Sequence, residues 1–453
     1  MGVRSGTTRT GALGIRPVAP WRNWGGNQRC EPAVIDEPAS IDDVVELVRA
    51  ARVANQTVKA VGAGHSFTDA ACTDGRLVRL NRLDRVIDHD PDRRTITVEA
   101  GIRLFDLNRE LDRRGLALAN LGDIDRQTVA GALSTGTHGT GAAFGGLATF
   151  VRELEIVTAD GDVLRCSADD EPEIFHCARV SLGALGIITR YTLQCVPAFR
   201  LRMEERPYSV DEVVESFAST VAANEHVDGY WWPYADVCTL KCSNRTDEPV
   251  QIRPPYKQWR GDILFGNYIY GTLVDIGRIR SSLVPGIMRW VAGGIGRSWK
   301  VDSSHKVFCA RRLVPFVEME YGIPGDALTD ALVRVRELVE RERLTVDMPV
   351  ELRVAAADDI PLSMANGRAT AYLAVHASAG RPYERYFRGV EEIMDSYGGR
   401  PHWGKVHFQT AATLAPRYPE WERFRSLRAR LDPSGRFANA YTDRVLGPVG
   451  TAS

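Results

Sequence analysis

Three small-residue segments fall within the first 190 residues, and each lets the chain turn tightly or admits another backbone at close range. They are GAGHS at 62–66, GALSTGTHGTG at 131–141 and SLGALG at 181–186. A glycine turn leaving a strand exposes successive backbone N–H groups, which cradle a phosphate or pyrophosphate. None of the three is a P-loop or the spaced-glycine dinucleotide fingerprint, and each alone reads as an ordinary tight turn. Together, in one half of the chain, they suit a long, doubly charged ligand threaded between layers, such as a dinucleotide. The candidate contacts are Gly62, Ala63, Gly64, His65 and Ser66 in the first segment. Ser134, Thr135, Thr137, His138, Gly139 and Thr140 follow in the second, and Gly186 with Ile187 at the third.

The stretches between these segments alternate helix and strand. SIDDVVELVRAARVA is an amphipathic helix with Ser40 as its N-cap and Asp42 and Asp43 in its first turn. TVKAV, RLVRL and LALAN read as strands, and DRVIDHD with RRTITVEA as a hairpin. RLFDLNRELDRRG is a helix closing on Gly115. VRELEIVTADGDVLRCS alternates apolar and polar residues around Asp160-Gly161, a strong hairpin signal. EPEIFHCARVSLG and IITRYTLQCV close this half near position 197. Strands, hairpins and helices are intermixed, so the fold class is α+β with mixed sheets. A chain of 453 residues is too long for one simple core and divides into two or three domains.

Beyond 197 the texture changes. Tryptophans cluster in YWWPY, YKQWRGD and MRWV, and the long helix GDALTDALVRVRELVERER precedes the strands PVELRVAAA and TAYLAVHA. EWERFRSLRARLDPSGRFANAY is one helix ending at Asp432-Pro433. The boundaries are therefore a loose tail over 1–20, a first unit over 21–197, a second over 198–420 and a terminal helix over 421–453.

The second unit holds different chemistry. Glu351 and Arg353 lie two apart on a strand and share one face, while Val350, Leu352 and Val354 take the other. That pattern fits a central strand facing a cleft at least as well as a surface ion pair. RPHWGKVHF packs His402, Trp403, Lys405 and His407 into six residues, and His376 sits mid-strand in LAVHA. Two histidines five apart lack a third metal ligand of obvious spacing, and no carboxylate–histidine cluster is visible.

Composition excludes several classes. Net charge is −1 with scattered arginines, unlike a nucleic-acid binder. No apolar run reaches the roughly 18–20 residues of a membrane span; the most apolar stretch, SSLVPGIMRWVAGGIG, is broken by Pro285 and Arg289. The first twenty residues lack a secretory h-region. Eight cysteines are spread singly apart from CTLKC at 238–242, which has no partner pair for structural zinc. The sequons at Asn55 and Asn244 matter only in a secreted chain. The expectation is a cytoplasmic protein with reduced thiols and no metal.

Four ordered motifs, VGAGHSFTDAACTDG, GDIDRQTVAGALSTGTHGTG, VELRVAAADD and RPHWGK, resemble those of the aldonolactone oxidoreductases. That family holds the L-gulono-1,4-lactone and D-arabinono-1,4-lactone oxidases and dehydrogenases, within the flavoproteins of the vanillyl-alcohol oxidase type. The likeness runs over roughly residues 20–447. It implies an FAD domain of two subdomains completed by the carboxy-terminal helix, and a cap with an antiparallel sheet covering the flavin. It adds Gly122 and Lys405 to the cofactor contacts, and implies that His65 carries FAD covalently through a ring nitrogen. It also implies that Glu351, Arg353, His376 and Lys405 face the flavin as catalytic residues.

The expected chemistry is oxidation of an alcohol carbon on a polyhydroxylated small molecule, with FAD as the redox group and oxygen or a redox carrier as final acceptor. Arg353 stabilises the anionic reduced ring. Lys405 or His376 takes the hydroxyl proton, which requires an uncharged amine or imidazole, such as a lysine whose pKa burial beside Arg353 has lowered. An aldono-1,4-lactone is the favoured substrate. An alditol, a sugar on a larger natural product, and a non-catalytic nucleotide-binding module remain as alternatives.

Overall fold

Helix α1 (Ile41–Val53) starts where the sequence places it, and a reciprocal cap fixes the spot. The Ser40 hydroxyl accepts from the Asp43 N–H, while the Asp43 carboxylate accepts from the Ser40 N–H. Val44, Leu47, Val48 and Ala51 form its buried stripe. The computed structural model describes residues 19–251, 270–310 and 314–450. All but two residues of the expected tail, and the whole YKQWRGD stretch, lie outside them.

Two sheets occupy the first half. Strands β3 (Val34–Asp36), β4 (Val58–Val61) and β5 (Arg76–Arg79) form a parallel sheet in the order β3-β5-β4. Strands β6 (Val86–Asp90), β7 (Thr95–Glu99), β9 (Val151–Val157), β10 (Val163–Ser167) and β11 (Ile187–Gln194) form an antiparallel sheet in the order β10-β9-β11-β7-β6. Both expected hairpins are there, β6 with β7 and β9 with β10. LALAN contributes less than expected: only β8 (Leu116–Ala117) is strand, paired with β12 (Val196–Pro197), and β1 (Trp21–Arg22) pairs with β2 (Arg29–Cys30) in a similar ribbon. Helices α2 (Leu104–Arg113), α3 (Val129–Ser134) and α4 (Pro172–Ala178) complete this half.

The chain's end returns here. Helix α10 (Trp421–Leu431) buries Trp421, Phe424 and Leu427 in the same core as α1. A further helix that the sequence reading missed, α11 (Ala440–Leu446), adds Tyr441 and Val445. The Val58 N–H donates to Arg436 O, and the buried Lys59 ammonium donates to Leu182 O and Phe437 O.

Between them lies an eight-stranded antiparallel sheet. Its members are β13 (Arg200–Tyr208), β14 (His226–Trp232), β15 (Val237–Thr246), β16 (Ser298–Ser303), β17 (Phe316–Pro324), β18 (Val350–Ala355), β19 (Thr370–Ser378) and β20 (Arg400–Pro401). Their order is β16-β13-β15-β14-β18-β19-β17-β20. One face is dry. Trp231, Leu240, Val317, Met319, Leu352 and Val375 pack there against α5 (Val210–Ala223), α8 (Leu328–Arg341) and α9 (Glu384–Asp395). Helices α6 (Tyr270–Ile279) and α7 (Val284–Gly293) lie beyond β15 in the chain. Because side chains alternate along a strand, the other face receives a different set, and that set is polar.

Candidate active site

The polar face assembles by register. Glu351 and Arg353 project from β18; Glu351 is opposite Ala374 of β19, and Arg353 is opposite Tyr372. His376 of β19 is opposite Glu318 of β17, and Glu320 follows two residues on. Lys405 arrives on a loop that behaves as a further strand. The His402 N–H donates to Glu320 O and the Val406 N–H to Glu318 O, which brings Lys405 over both carboxylates. These side chains line one wall of a cavity of ≈ 750 Å³. His65, Ser66, Gly122, Thr135, Thr137 and His138 line it from the first half.

Two charge clusters share the wall. In the first, Arg353 Nε donates to Asp228 (3.0 Å) and Nη2 to Glu351 (2.6 Å). The Tyr230 hydroxyl donates to Glu351 (2.7 Å), and Lys241 stands 3.4 Å from Asp228. Burial works against the guanidinium charge, but Glu351 and Asp228 outweigh it and hold the Arg353 pKa far above the usual range. The ion pair is buried, which decides between the two readings of β18 in favour of a central strand facing a cleft.

In the second, the Lys405 ammonium donates to Glu318 and lies 4.0 Å from Glu320. His376 Nδ1 donates to Pro349 O (2.9 Å), and its Nε2 lies 3.6 Å from Glu318. Burial disfavours charge on both bases, yet Glu318 overcomes it, with Glu320 also acting on Lys405, so both pKa values are raised. Burial would raise the Glu318 carboxyl too, but Lys405 and His376 pull it down to about 2. The expectation of a lysine neutralised by burial is therefore corrected: its neighbours are two carboxylates, and Arg353 is committed to two others. The expectation of a neutral His376 is corrected for the same reason.

Glu320 also meets His138 Nε2 at 3.1 Å, and Tyr372 stacks on that imidazole with centroids 3.5 Å apart. His402 points into the same corner, where burial above all pushes its pKa down to about 3. The ligand atoms of His138, Glu320 and His402 lie within 4.8 Å of one another, as do those of Glu318, Glu351 and His376. Carboxylate–histidine clusters that were not visible along the chain thus exist in space. His407 is not among them; its Nε2 bonds the Tyr441 hydroxyl on the far side of Trp403.

Gly62 shows why a glycine leaves β4. A Cβ there would sit 2.2 Å from the hydroxyl oxygen of Thr128, the N-cap of α3, so the turn and the start of α3 are in direct contact. Gly64 follows at φ +70°. Among the described residues, no backbone acceptor meets the N–H groups of Ala63, Gly64, His65 and Ser66. Next to them His65 packs on Trp24 (centroids 5.4 Å), and burial, with Arg103 and Lys405, lowers its pKa to about 4. The N–H groups of His65 and Ser66, a neutral imidazole and two cations line one cavity and suit a dinucleotide with a ring that becomes anionic on reduction, while Gly62, Ala63 and Gly64 are not part of its wall. The residues present therefore fit FAD.

Other predicted contacts stand behind the cavity wall. The Thr140 hydroxyl donates to Val227 O and accepts from the Val354 N–H, which ties the first half to β14 and β18. Ser134 O accepts from the Leu182 N–H, and Gly139 packs on Asn120 and Leu121. Gly186 abuts Val157 O, and Ile187 is core. The sequence reading missed Glu318, Glu320, Asp228, Tyr230 and Lys241. The first two carry the signal used for Glu351 and Arg353, two charged residues alternating with apolar ones in FVEMEYGIP.

The comparisons agree with this geometry. The family model described as D-arabinono-1,4-lactone oxidase matches residues 191–445, and that of an FAD binding domain matches 32–167. An L-gulono-1,4-lactone dehydrogenase of Mycobacterium tuberculosis is 44% identical, over 94% of this chain and 99% of its own. The L-gulonolactone oxidase of Bos taurus is 35% identical, over 94% and 98%. Among solved structures, a solvent-stable cholesterol oxidase shares the fold with a TM-score of 0.80 at 20% identity, over 94% and 96% of the two chains. The chain is an FAD-dependent oxidoreductase and belongs to the D-arabinono-1,4-lactone oxidase family.

Proposed function

We propose that the protein oxidises the C2 alcohol of an aldono-1,4-lactone such as L-gulono-1,4-lactone, with Arg353, Glu351, Lys405 and His376 as the residues that handle the substrate. Residues 21–197 with 421–453 hold the cofactor on this reading, and 198–420 form the cap. Bound FAD supplies the two-electron acceptor for the hydrogen that leaves C2 with its electron pair. A five-membered ring holds that hydrogen in few orientations, so a lactone loses less freedom on binding than an open-chain alditol.

The chain's own task is to manage the hydroxyl proton. His376 keeps its Nδ1 proton on Pro349 O, which leaves Nε2 as its titrating position. With its pKa raised, that nitrogen holds its proton to higher pH than an ordinary imidazole, and once it is a free base it takes the hydroxyl proton. Lys405 stays an ammonium and donates to a substrate oxygen. Arg353, already aligned by Asp228 and Glu351, keeps further N–H groups that would stabilise negative charge on a bound flavin. His65, neutral and beside the cradle, would hold the flavin through a ring nitrogen. The final acceptor is oxygen or a redox carrier, and eight free cysteines accord with work in the cytoplasm.

One observation carries the reading: Arg353, His376 and Lys405 line a single cavity with His65. The test is anaerobic bleaching of the flavin by L-gulono-, L-galactono- and D-arabinono-1,4-lactone against xylitol and sorbitol. Faster bleaching by a lactone supports it, and a preference for the alditols overturns it. Acid precipitation tests the attachment; yellow colour should stay with the wild-type pellet and leave it in His65→Ala.

A further inference from the structure

Two of the eight cysteines meet beside the turn that carries His65. Cys30 ends the β1–β2 ribbon opposite Trp21, and Cys72 follows the short helical turn Asp69–Ala71. From both residues the chain runs on in parallel. The Ala33 N–H donates to Asp74 O and the Val34 N–H to Gly75 O, where the pairing of β3 with β5 begins. Both cysteines pack on one small cluster, Trp21, Val61 and Leu77. Burial, the charge of Cys30 and a hydrogen bond to the Cys30 sulfur push the Cys72 thiol up to about 12. The Cys72 S–H thus donates to the Cys30 sulfur. Both are half-buried, whereas Cys166, Cys177, Cys195 and Cys238 are buried.

The ribbon also holds the His65 turn in place. The Trp24 N–H donates to Gly64 O (2.8 Å), and the Asn23 side-chain amide donates to Ser66 O (2.9 Å). The side-chain amides of Asn27 and Gln28 both donate to Phe67 O. From the other side Asn439, the cap of α11, donates to Asp69 O, Ala70 O and Cys72 O. A bond between Cys30 and Cys72 would join the ribbon, the turn and the carboxy-terminal helix into one unit.

We propose that Cys30 and Cys72 are a reversible redox pair, which a hydroperoxide converts into a disulfide clasp beside the cofactor turn. The Cys30 sulfur attacks one peroxide oxygen; the O–O bond breaks, hydroxide leaves and Cys30 becomes a sulfenic acid. The Cys72 sulfur then displaces that oxygen, its proton passing to the departing hydroxyl, which leaves as water. In all, two thiols give up two electrons and two protons, and hydrogen peroxide becomes two waters. The bond closes the chain from residue 30 to residue 72, a loop long enough for the link to restrict the unfolded chain. Neither cysteine lines the cavity, so the clasp acts on stability rather than on turnover.

The test compares flavin-loaded protein kept in dithiothreitol with the same protein exposed to hydrogen peroxide, each then alkylated and digested without reductant. The oxidised protein should yield a peptide pair joined from Cys30 to Cys72, which dithiothreitol releases. Its melting temperature should stand about 5 °C or more above that of the reduced protein. Lactone oxidation with a soluble dye should be the same in both. Cys30→Ser should show neither the link nor the rise on oxidation; wild type alone decides the matter if that variant does not fold. Both thiols remaining open to alkylation would overturn the proposal. So would Cys30 passing to a sulfinic acid without a link, or Cys72 pairing with another cysteine. A link that leaves the melting temperature in place would contradict the clasp.

Discussion

The two charge clusters on the cavity wall are built from the same parts and behave in opposite ways. Arg353 and Lys405 are each held by two buried carboxylates, Asp228 with Glu351 and Glu318 with Glu320. An arginine keeps its proton at any pH a protein survives. Its cluster is a fixed charge with fixed geometry, braced by Tyr230 and Lys241. The other cluster contains a histidine, whose ordinary pKa near 6.5 makes it the one group able to change state in the working range. The carboxylate it leans on, Glu318, is also the anchor of Lys405. On the proposed reading, one side of the cavity orients the substrate and the other moves its proton.

Removing the mobile side should cost most. His376→Ala is expected to slow flavin reduction by lactone about 10²–10⁴-fold at alkaline pH, the span of a lost general base. Stopped-flow absorbance would show it, and a loss under tenfold would return His376 to the role of a packed side chain. Arg353→Ala should slow the same step by about 2–4 kcal/mol. It should also destabilise the fold by up to about 3–5 kcal/mol, because the buried Glu351 keeps only the Tyr230 hydroxyl and Asp228 only Lys241. Thermal unfolding and reduction kinetics on one preparation separate the two effects.

A subtler change sharpens the contrast. Glu318→Gln removes the charge that raises the His376 pKa, so the acid limb of the reduction rate should move to lower pH. The sign follows from the linkage: the neutral imidazole is the working form, and a lower pKa makes it available earlier as pH rises. Glu351→Gln, beside the fixed arginine and acting on His376 more weakly than Glu318 does, should move that limb less. Equal displacement by both would erase the distinction between the clusters. The smallest effect belongs outside both: Arg52→Ala breaks an exposed pair with Asp160 and should change stability by no more than about 0.5 kcal/mol.

The sequence shows Glu351 and Arg353 of one cluster and His376 and Lys405 of the other, and misses the partners of both. Strand β18 announces itself because Glu351 and Arg353 alternate with valine and leucine in a single run. Local signals likewise suffice for α1 and for the hairpin at Asp160-Gly161, where caps and turns involve residues a few positions apart. The partners of these charges come from elsewhere. Tyr230 reaches Glu351 across 121 positions, and Lys405 reaches Glu318 across 87. Those pairings are set by strand order and register, which no window of a few residues contains. The protonation states follow the pairings, so burial could be inferred for Lys405 while the direction of its pKa could not. The second cluster was still half visible, since Glu318 and Glu320 obey the same two-residue alternation in FVEMEYGIP.

The most direct test is the pH dependence of anaerobic flavin reduction by L-gulono-1,4-lactone in wild type and Glu318→Gln. The limiting rate in wild type should climb through a pKa above the ordinary imidazole value of about 6.5, and the climb should shift toward acid in the variant. A rate that is flat with pH, or a climb that Glu318→Gln leaves in place, would contradict proton removal by His376; no reduction by the lactone at any pH would contradict the substrate.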